Sequence, residues 1–128
     1  MKLEHIGIWT KDLEVMKVFY MTHFNMDCNE KYVNVKKGFS SYFLSFESGT
    51  RIELMHREDI NDPAFKKGQT IGMAHMAISL GSKSAVLKLT NKFREMGLKI
   101  IGEPRTTGDG YFESVIEDPE GNWIELTT

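Results

Sequence analysis

Four residues of this sequence have the side chains needed to bind one divalent metal ion. His5 lies in the apolar segment LEHIGI and His75 in MAHMAISL, while Glu53 and Glu125 each lie in a segment that reads G-x-x-I-E-L. Imidazole nitrogens and carboxylate oxygens form a mixed ligand set that suits Ni, Zn, Co, Mn or Fe. The residue types therefore predict a metal site without choosing its metal.

The spacing of these residues indicates an internal repeat. Glu53 follows His5 by 48 residues (53 − 5), and Glu125 follows His75 by 50 residues (125 − 75). Two matched pairs in a short chain favour duplication of one module. We expect a single domain over 1–128, built from modules of about 1–56 and 72–128.

Each half has the pattern of a strand, a helix and three further strands, so the sequence predicts an α+β fold with two βαβββ modules. The first predicted helix has apolar residues at steps of three and four, and the second is preceded by serines that can cap its start. The expected apolar stripes are Leu13, Met16, Phe19, Tyr20 and Phe24 in the first helix, and Ala85, Leu89, Phe93 and Met96 in the second.

The alternation of side chains along a strand explains why the four polar residues should share a face. Ile6 adjoins His5, and aliphatic residues flank both Glu53 and Glu125. Since neighbouring side chains point to opposite faces, the aliphatic face should meet the helices and the polar face should form a concave surface. A buried carboxylate needs compensation, which a cation would provide. The alternative is that the glutamates are solvated and the histidines are satisfied core donors.

With these residues in view, the chain resembles the vicinal-oxygen-chelate superfamily, which has the glyoxalase/bleomycin-resistance/dioxygenase fold. The resemblance covers nearly the whole chain and is most specific in the closing run, which reads DPEGNWIEL from Asp118 to Leu126. Within the superfamily, the His/Glu/His/Glu set resembles glyoxalase I (lactoylglutathione lyase). The resemblance implies a cupped mixed sheet and a homodimer in which one subunit supplies His5 and Glu53 and its partner supplies His75 and Glu125.

The resemblance also implies a reaction. A glyoxalase I-like enzyme converts the hemithioacetal of a 2-oxoaldehyde, such as methylglyoxal, into a 2-hydroxyacyl thioester through an ene-diolate stabilised by the metal. Glu125 would be the catalytic base, with Glu53 as a ligand and second base. The expected role is methylglyoxal detoxification. Two alternatives are another metalloenzyme of the superfamily, such as an antibiotic-resistance thiol transferase or an epimerase, and a non-catalytic drug-binding protein.

Several positions bear on the substrate. Trp9 and Arg57 stand where glutathione-using members usually carry Arg and Asn, which argues against glutathione as the thiol. Trp9, Arg105 and Tyr111 are candidate substrate contacts. The run from Glu103 to Tyr111 is rich in Gly and Pro and is expected to be a lid or a plain loop.

The composition of the chain argues against nucleic acid and membranes as binding partners. A net charge of −2 gives no basic field for nucleic acid, and no stretch is long and apolar enough to cross a membrane. A lone cysteine, Cys28, suits a reducing compartment. We expect a cytoplasmic protein whose partner is a small-molecule substrate.

Overall fold

The computed structural model of the chain describes residues 1–62 and 66–128. They form two compact units, Met1–Asp62 and Pro63–Thr128. Each unit carries one β-sheet and one long α-helix. The predicted α+β class is thus confirmed, whereas the single domain and its module boundaries stay predictions.

The first unit follows the expected order with one extra short strand. Its elements are β1 (His5–Trp9), α1 (Leu13–Phe24), β2 (Asp27–Cys28), β3 (Tyr32–Asn34), a 3-10 turn (Val35–Lys37), β4 (Phe39–Ser45) and β5 (Arg51–Arg57). The sheet order is β1-β5-β4-β2, and β3 also pairs with β4. The first and last strands, β1 and β5, run parallel side by side.

The second unit repeats this plan. Its elements are β6 (Met76–Ser79), α2 (Lys83–Glu95), β7 (Ile100–Thr106), β8 (Phe112–Glu117) and β9 (Trp123–Thr127). The sheet order is β6-β9-β8-β7, with β6 and β9 again parallel. The predicted βαβββ pattern is therefore confirmed here.

The two helices differ in how well the sequence predicted them. Asp12 caps α1 by accepting from the backbone amides of Glu14 and Val15, and the expected stripe of α1 is buried. The stripe expected for α2 was wrong in part. Only Phe93 of that stripe is fully buried, alongside Val86 and Thr90, and Met96 is 49% exposed.

Thr90 enters the core because its hydroxyl group has two partners there. Its Oγ1 donates to the carbonyl oxygen of Val86 at 2.7 Å and shares a 2.7 Å hydrogen bond with Ser114 Oγ. A buried hydroxyl that is satisfied in this way loses most of its desolvation penalty. An apolar-stripe rule cannot anticipate such a position.

The segment expected to be a lid or loop is partly a strand. β7 runs through Pro104 to Thr106, and its pairing with β8 shifts register between Gly102 and Arg105. A proline is tolerated there because β7 is the edge strand of its sheet, so the missing N–H interrupts no inner ladder.

Candidate metal centre and substrate face

In the first unit, the candidate ligands lie on the sheet face that turns away from α1. The aliphatic partners Ile6↔Ile52 and Ile8↔Leu54 pair across β1 and β5, with Ile52 and Leu54 in the core. The opposite face carries His5, Gly7 and Trp9 from β1. Glu53 lies on β5 directly beside Gly7, so it is within reach of the histidine two residues away.

His5 and Glu53 form the first pair. His5 Nε2 lies 3.7 Å from Glu53 Oε2, and the Glu53 side chain is only 16% exposed. The structure thus brings these two candidate ligands side by side within the first unit.

Glu4 is hydrogen-bonded to the His5 ring on the side away from Glu53, and Arg51 in turn binds Glu4. His5 Nδ1 lies 2.5 Å from Glu4 Oε2, and Arg51 Nε donates to Glu4 Oε1 at 2.8 Å. These hydrogen bonds, that from His5 first, lower the pKa of the Glu4 carboxyl. Because a carboxylate only accepts, Nδ1 donates to Glu4, and this hydrogen bond orients the ring so that Nε2 is the nitrogen on the side of Glu53.

His75 and Glu125 form the second pair with the same construction. His75 lies one residue before β6, and Ala77 pairs with Glu125 as Gly7 pairs with Glu53. His75 Nε2 lies 3.3 Å from Glu125 Oε2, and Glu125 is 17% exposed. The turn before β9 is fixed by Asp118 Oδ1, which accepts from the amides of Glu120 and Asn122 at 2.9 Å.

Glu125 is electrostatically unfavourable as a bare carboxylate. Burial, and then the neighbouring Glu113, raise its pKa, whereas the charge of His75 acts in the opposite direction. Glu113 is itself 11% exposed and accepts from Arg105 Nη2 at 3.0 Å. A bound cation would stabilise two largely buried carboxylates that lie this close together.

Glu113 is a site residue that the sequence reasoning missed. It pairs with Thr127 across β8 and β9, so it shares the face of Glu125. The alternation of β8 could have revealed it, since Val115 lies directly opposite Glu125 and Glu113 lies two residues away.

The two pairs differ in what surrounds them. Ala74 precedes His75, and Trp123 stands where Arg51 stands in the first unit. Arg51 also packs over Phe43, with its Cζ 4.3 Å from the ring centre, and Phe43 meets the His5 ring edge to face at 5.4 Å. Only the first histidine therefore gains this Glu–Arg support.

Each pair has the spacing of half a ligand set. Two donors about 2.1 Å from one ion lie roughly 3–3.4 Å apart at octahedral to tetrahedral angles, which is close to the two His–Glu distances. Within residues 1–62 and 66–128, no three His, Cys, Asp or Glu side chains converge. The donor chemistry of each pair thus fits half of the ligand set of a divalent ion.

The candidate substrate residues lie as follows. Trp9 is 38% exposed on the same face as His5, Arg105 is 56% exposed and paired with Glu113, and Tyr111 is 56% exposed beyond the end of β7. His56 has a structural contact, with Nδ1 2.9 Å from the Thr10 carbonyl oxygen. Burial raises the pKa of the Cys28 thiol, which disfavours a thiolate nucleophile.

The sequence and the fold are both similar to those of known proteins. A family model described as the glyoxalase/bleomycin resistance protein/dioxygenase superfamily matches residues 2–126. An uncharacterized Bacillus subtilis (strain 168) protein, YwbC, is 30% identical over 128 residues, covering 98% of this chain and 95% of its own length.

Solved structures give the same fold. Glyoxalase I from Zea mays aligns with a TM-score of 0.78 at 24% identity, covering 98% of this chain and 44% of the maize chain. The trypanothione-dependent glyoxalase I of Leishmania major aligns with a TM-score of 0.73 at 24% identity, covering 98% and 85%. This chain spans less than half the length of the maize protein.

In the part of the chain that the structure describes, neither helix has the length and apolar character needed to span a bilayer.

Proposed function

This chain belongs to the glyoxalase/bleomycin resistance protein/dioxygenase superfamily, and on that premise we propose that it is a metal-dependent lyase of the glyoxalase I type. It converts the hemithioacetal of a 2-oxoaldehyde and a thiol into a 2-hydroxyacyl thioester. Methylglyoxal is the aldehyde that we propose as the first to test.

One observation carries this proposal: two His–Glu pairs occupy equivalent register positions in the two units. Each pair brings Nε2 and Oε2 to 3.3–3.7 Å on the sheet face that is turned away from the helix. A structural role for a single histidine would not require the same partner at the same place in the second unit.

Charge balance supports one ion for the two pairs. Two ionised carboxylates and two neutral imidazoles offset a 2+ charge and leave about one or two coordination positions for substrate oxygens. A bound divalent ion supplies Lewis-acid polarisation of two neighbouring oxygens on the substrate.

The protein side chains then handle the proton. Glu125 accepts the proton from the carbon bonded to sulfur and returns it to the adjacent carbon, while the hydroxyl proton moves to the neighbouring oxygen. All atoms are conserved, and the product is an isomer of the hemithioacetal. Burial beside Glu113 raises the pKa of Glu125 and makes it a stronger base than an exposed glutamate.

We further propose that the ligand set is completed between two copies of the chain. His5 and Glu53 of one subunit meet His75 and Glu125 of the other, which gives a homodimer with two equivalent sites. The separation of the two pairs into different units of the chain is compatible with this exchange.

The first experiment measures metal retention and activity together. Purified protein is loaded with Zn²⁺ or Ni²⁺, dialysed and analysed for metal. Thioester formation from methylglyoxal is then followed by ultraviolet absorbance with glutathione, cysteine and cysteamine. Glu125→Gln should lose about 10²–10⁴-fold in turnover, whereas the exposed control Glu47→Gln should not change. A metal-loaded dimer that forms no thioester with any thiol would refute the proposal.

A further inference from the structure

The sheet face of the first unit that carries His5 and Glu53 also carries, further along the strands, a group of aromatic side chains that metal binding does not use. We define the aromatic platform as Trp9, Phe39 and Tyr32. Trp9 and Phe39 meet edge to face with ring centres 6.1 Å apart, and Tyr32 and Phe39 are 6.2 Å apart. Trp9 is 38% exposed and Tyr32 is 53% exposed, so two of the three rings are available for contact.

The platform lies on the same sheet face as His5 and Glu53. Trp9 points to the same face of β1 as His5. Phe39 points to the same face of β4 as Phe43, which lies directly opposite Glu53. Tyr32 pairs with Ser41, the residue between these two positions on that face. Trp9 lies four residues after His5, so the platform begins roughly 13 Å along β1 from the metal pair.

The charge near the platform is already neutralised. The Arg57 guanidinium carbon lies 5.5 Å from the Trp9 ring centre, but Arg57 also forms a bidentate ion pair with Asp59. That contact lowers the pKa of the Asp59 carboxyl and keeps it ionised. A carboxylate on the ligand would have to compete with Asp59 for this arginine.

We propose that the aromatic platform binds a neutral planar ring of the substrate, held at a distance of about 10–13 Å from the metal-binding oxygens. This inference rests on the proposed function, because it assumes that the reacting end of the substrate lies at His5 and Glu53. It assigns the substrate to adducts that carry an uncharged aromatic group, and away from charged peptide thiols. Aromatic rings prefer offset or edge-to-face contacts with other rings, which the platform offers.

The first test uses hydroxamic acids, whose two neighbouring oxygens chelate a metal. Acetohydroxamic acid, octanohydroxamic acid and 6-phenylhexanohydroxamic acid, whose chain is long enough to bring the ring to the platform, are titrated into zinc-loaded protein by calorimetry. We expect the phenyl compound to bind about 10–100-fold more tightly than acetohydroxamic acid and about tenfold more tightly than the octanoyl compound. Equal affinity of the phenyl and octanoyl compounds would overturn the inference while leaving the metal site intact.

Variants locate the effect. Trp9→Leu should lower the affinity for the phenyl compound to that for the octanoyl compound and leave the affinity for acetohydroxamic acid unchanged. Trp9→Phe should retain most of the preference for the phenyl compound. Phe46→Leu is the matched control, because Phe46 is 37% exposed in the same unit but lies after β4, away from the platform. A full preference in Trp9→Leu would also contradict the assignment.

A second measurement does not require metal. Trp123→Phe leaves Trp9 as the only tryptophan of the chain, and para-nitrobenzamide is a neutral aromatic quencher. We expect saturable quenching of Trp9 that is weaker with para-nitrobenzoate and is lost in Phe39→Leu. Purely collisional quenching would contradict the proposal that the aromatic platform binds a ring. If no hydroxamate prefers zinc-loaded protein but saturable quenching persists, the proposed function fails and the ring site stands.

Discussion

The separation of the two His–Glu pairs makes the proposed exchange of ligands between subunits directly testable. One variant removes the first pair (His5→Ala with Glu53→Gln), and a second variant removes the other (His75→Ala with Glu125→Gln). Each double substitution falls within one compact unit, so it should leave the other pair undisturbed. We expect each variant alone to retain no metal and to have no thioester-forming activity.

The expected recovery on mixing follows from the pairing statistics. If equal amounts are co-expressed or refolded together, about half of the dimers contain one chain of each kind. In such a dimer one site has lost all four ligands, and the other site has all four intact. Half of the dimers therefore carry half of the normal sites, and the mixture should recover about a quarter of the wild-type metal content and activity.

Zinc analysis after dialysis and the ultraviolet assay measure this recovery, and size-exclusion chromatography verifies that the mixed sample is dimeric. Separately folded proteins mixed without subunit exchange provide the control. A dimeric mixture with no recovered site would show that each site draws its four ligands from a single chain. Full metal content in either double variant alone would refute the assignment of the ligands themselves.

Three further predictions concern the support of the site and the core. Glu4→Gln weakens the hold on His5, so zinc affinity should fall by about tenfold in a chelator competition, with exposed Glu30→Gln unchanged; equal affinities would mean that Glu4 does not orient the ring. Because burial raises the pKa of Glu125, protonation of this residue stabilises the metal-free fold below the ordinary glutamate pKa, and the benefit is lost as pH rises through the raised pKa. Glu125→Gln should therefore raise the Tm of the metal-free protein by about 2–4 °C at pH 7 and by much less near pH 4; a lower Tm at pH 7 would contradict this. Thr90→Val should lower the free energy of unfolding, measured by urea denaturation, by about 1–2 kcal/mol. A double-mutant cycle with Ser114→Ala should show that the two residues are coupled through their hydrogen bond; additive effects would exclude this coupling.

The sequence was sufficient to predict which face of its strand each candidate ligand occupies, because two local rules fix that face. Alternation along a strand places His5 and Glu53 on the face opposite to their aliphatic neighbours, and the repeated G-x-x-I-E-L segment carries the same arrangement into the second half. The first helix was predictable for a similar reason, since the five residues of its expected stripe recur at helical spacing and are all buried.

Other features depend on contacts between residues that are distant along the chain. Thr90 belongs to the core only because Ser114 lies opposite it, and Pro104 fits into a strand only because β7 is an edge. Arg51 reaches Glu4 across 47 residues, and Arg105 and Glu113 meet across a hairpin whose register is irregular. Local periodicity and residue type thus determined the elements and the faces of the strands, whereas hydrogen bonds and ion pairs between strands decided which polar groups could be buried and which could support the site.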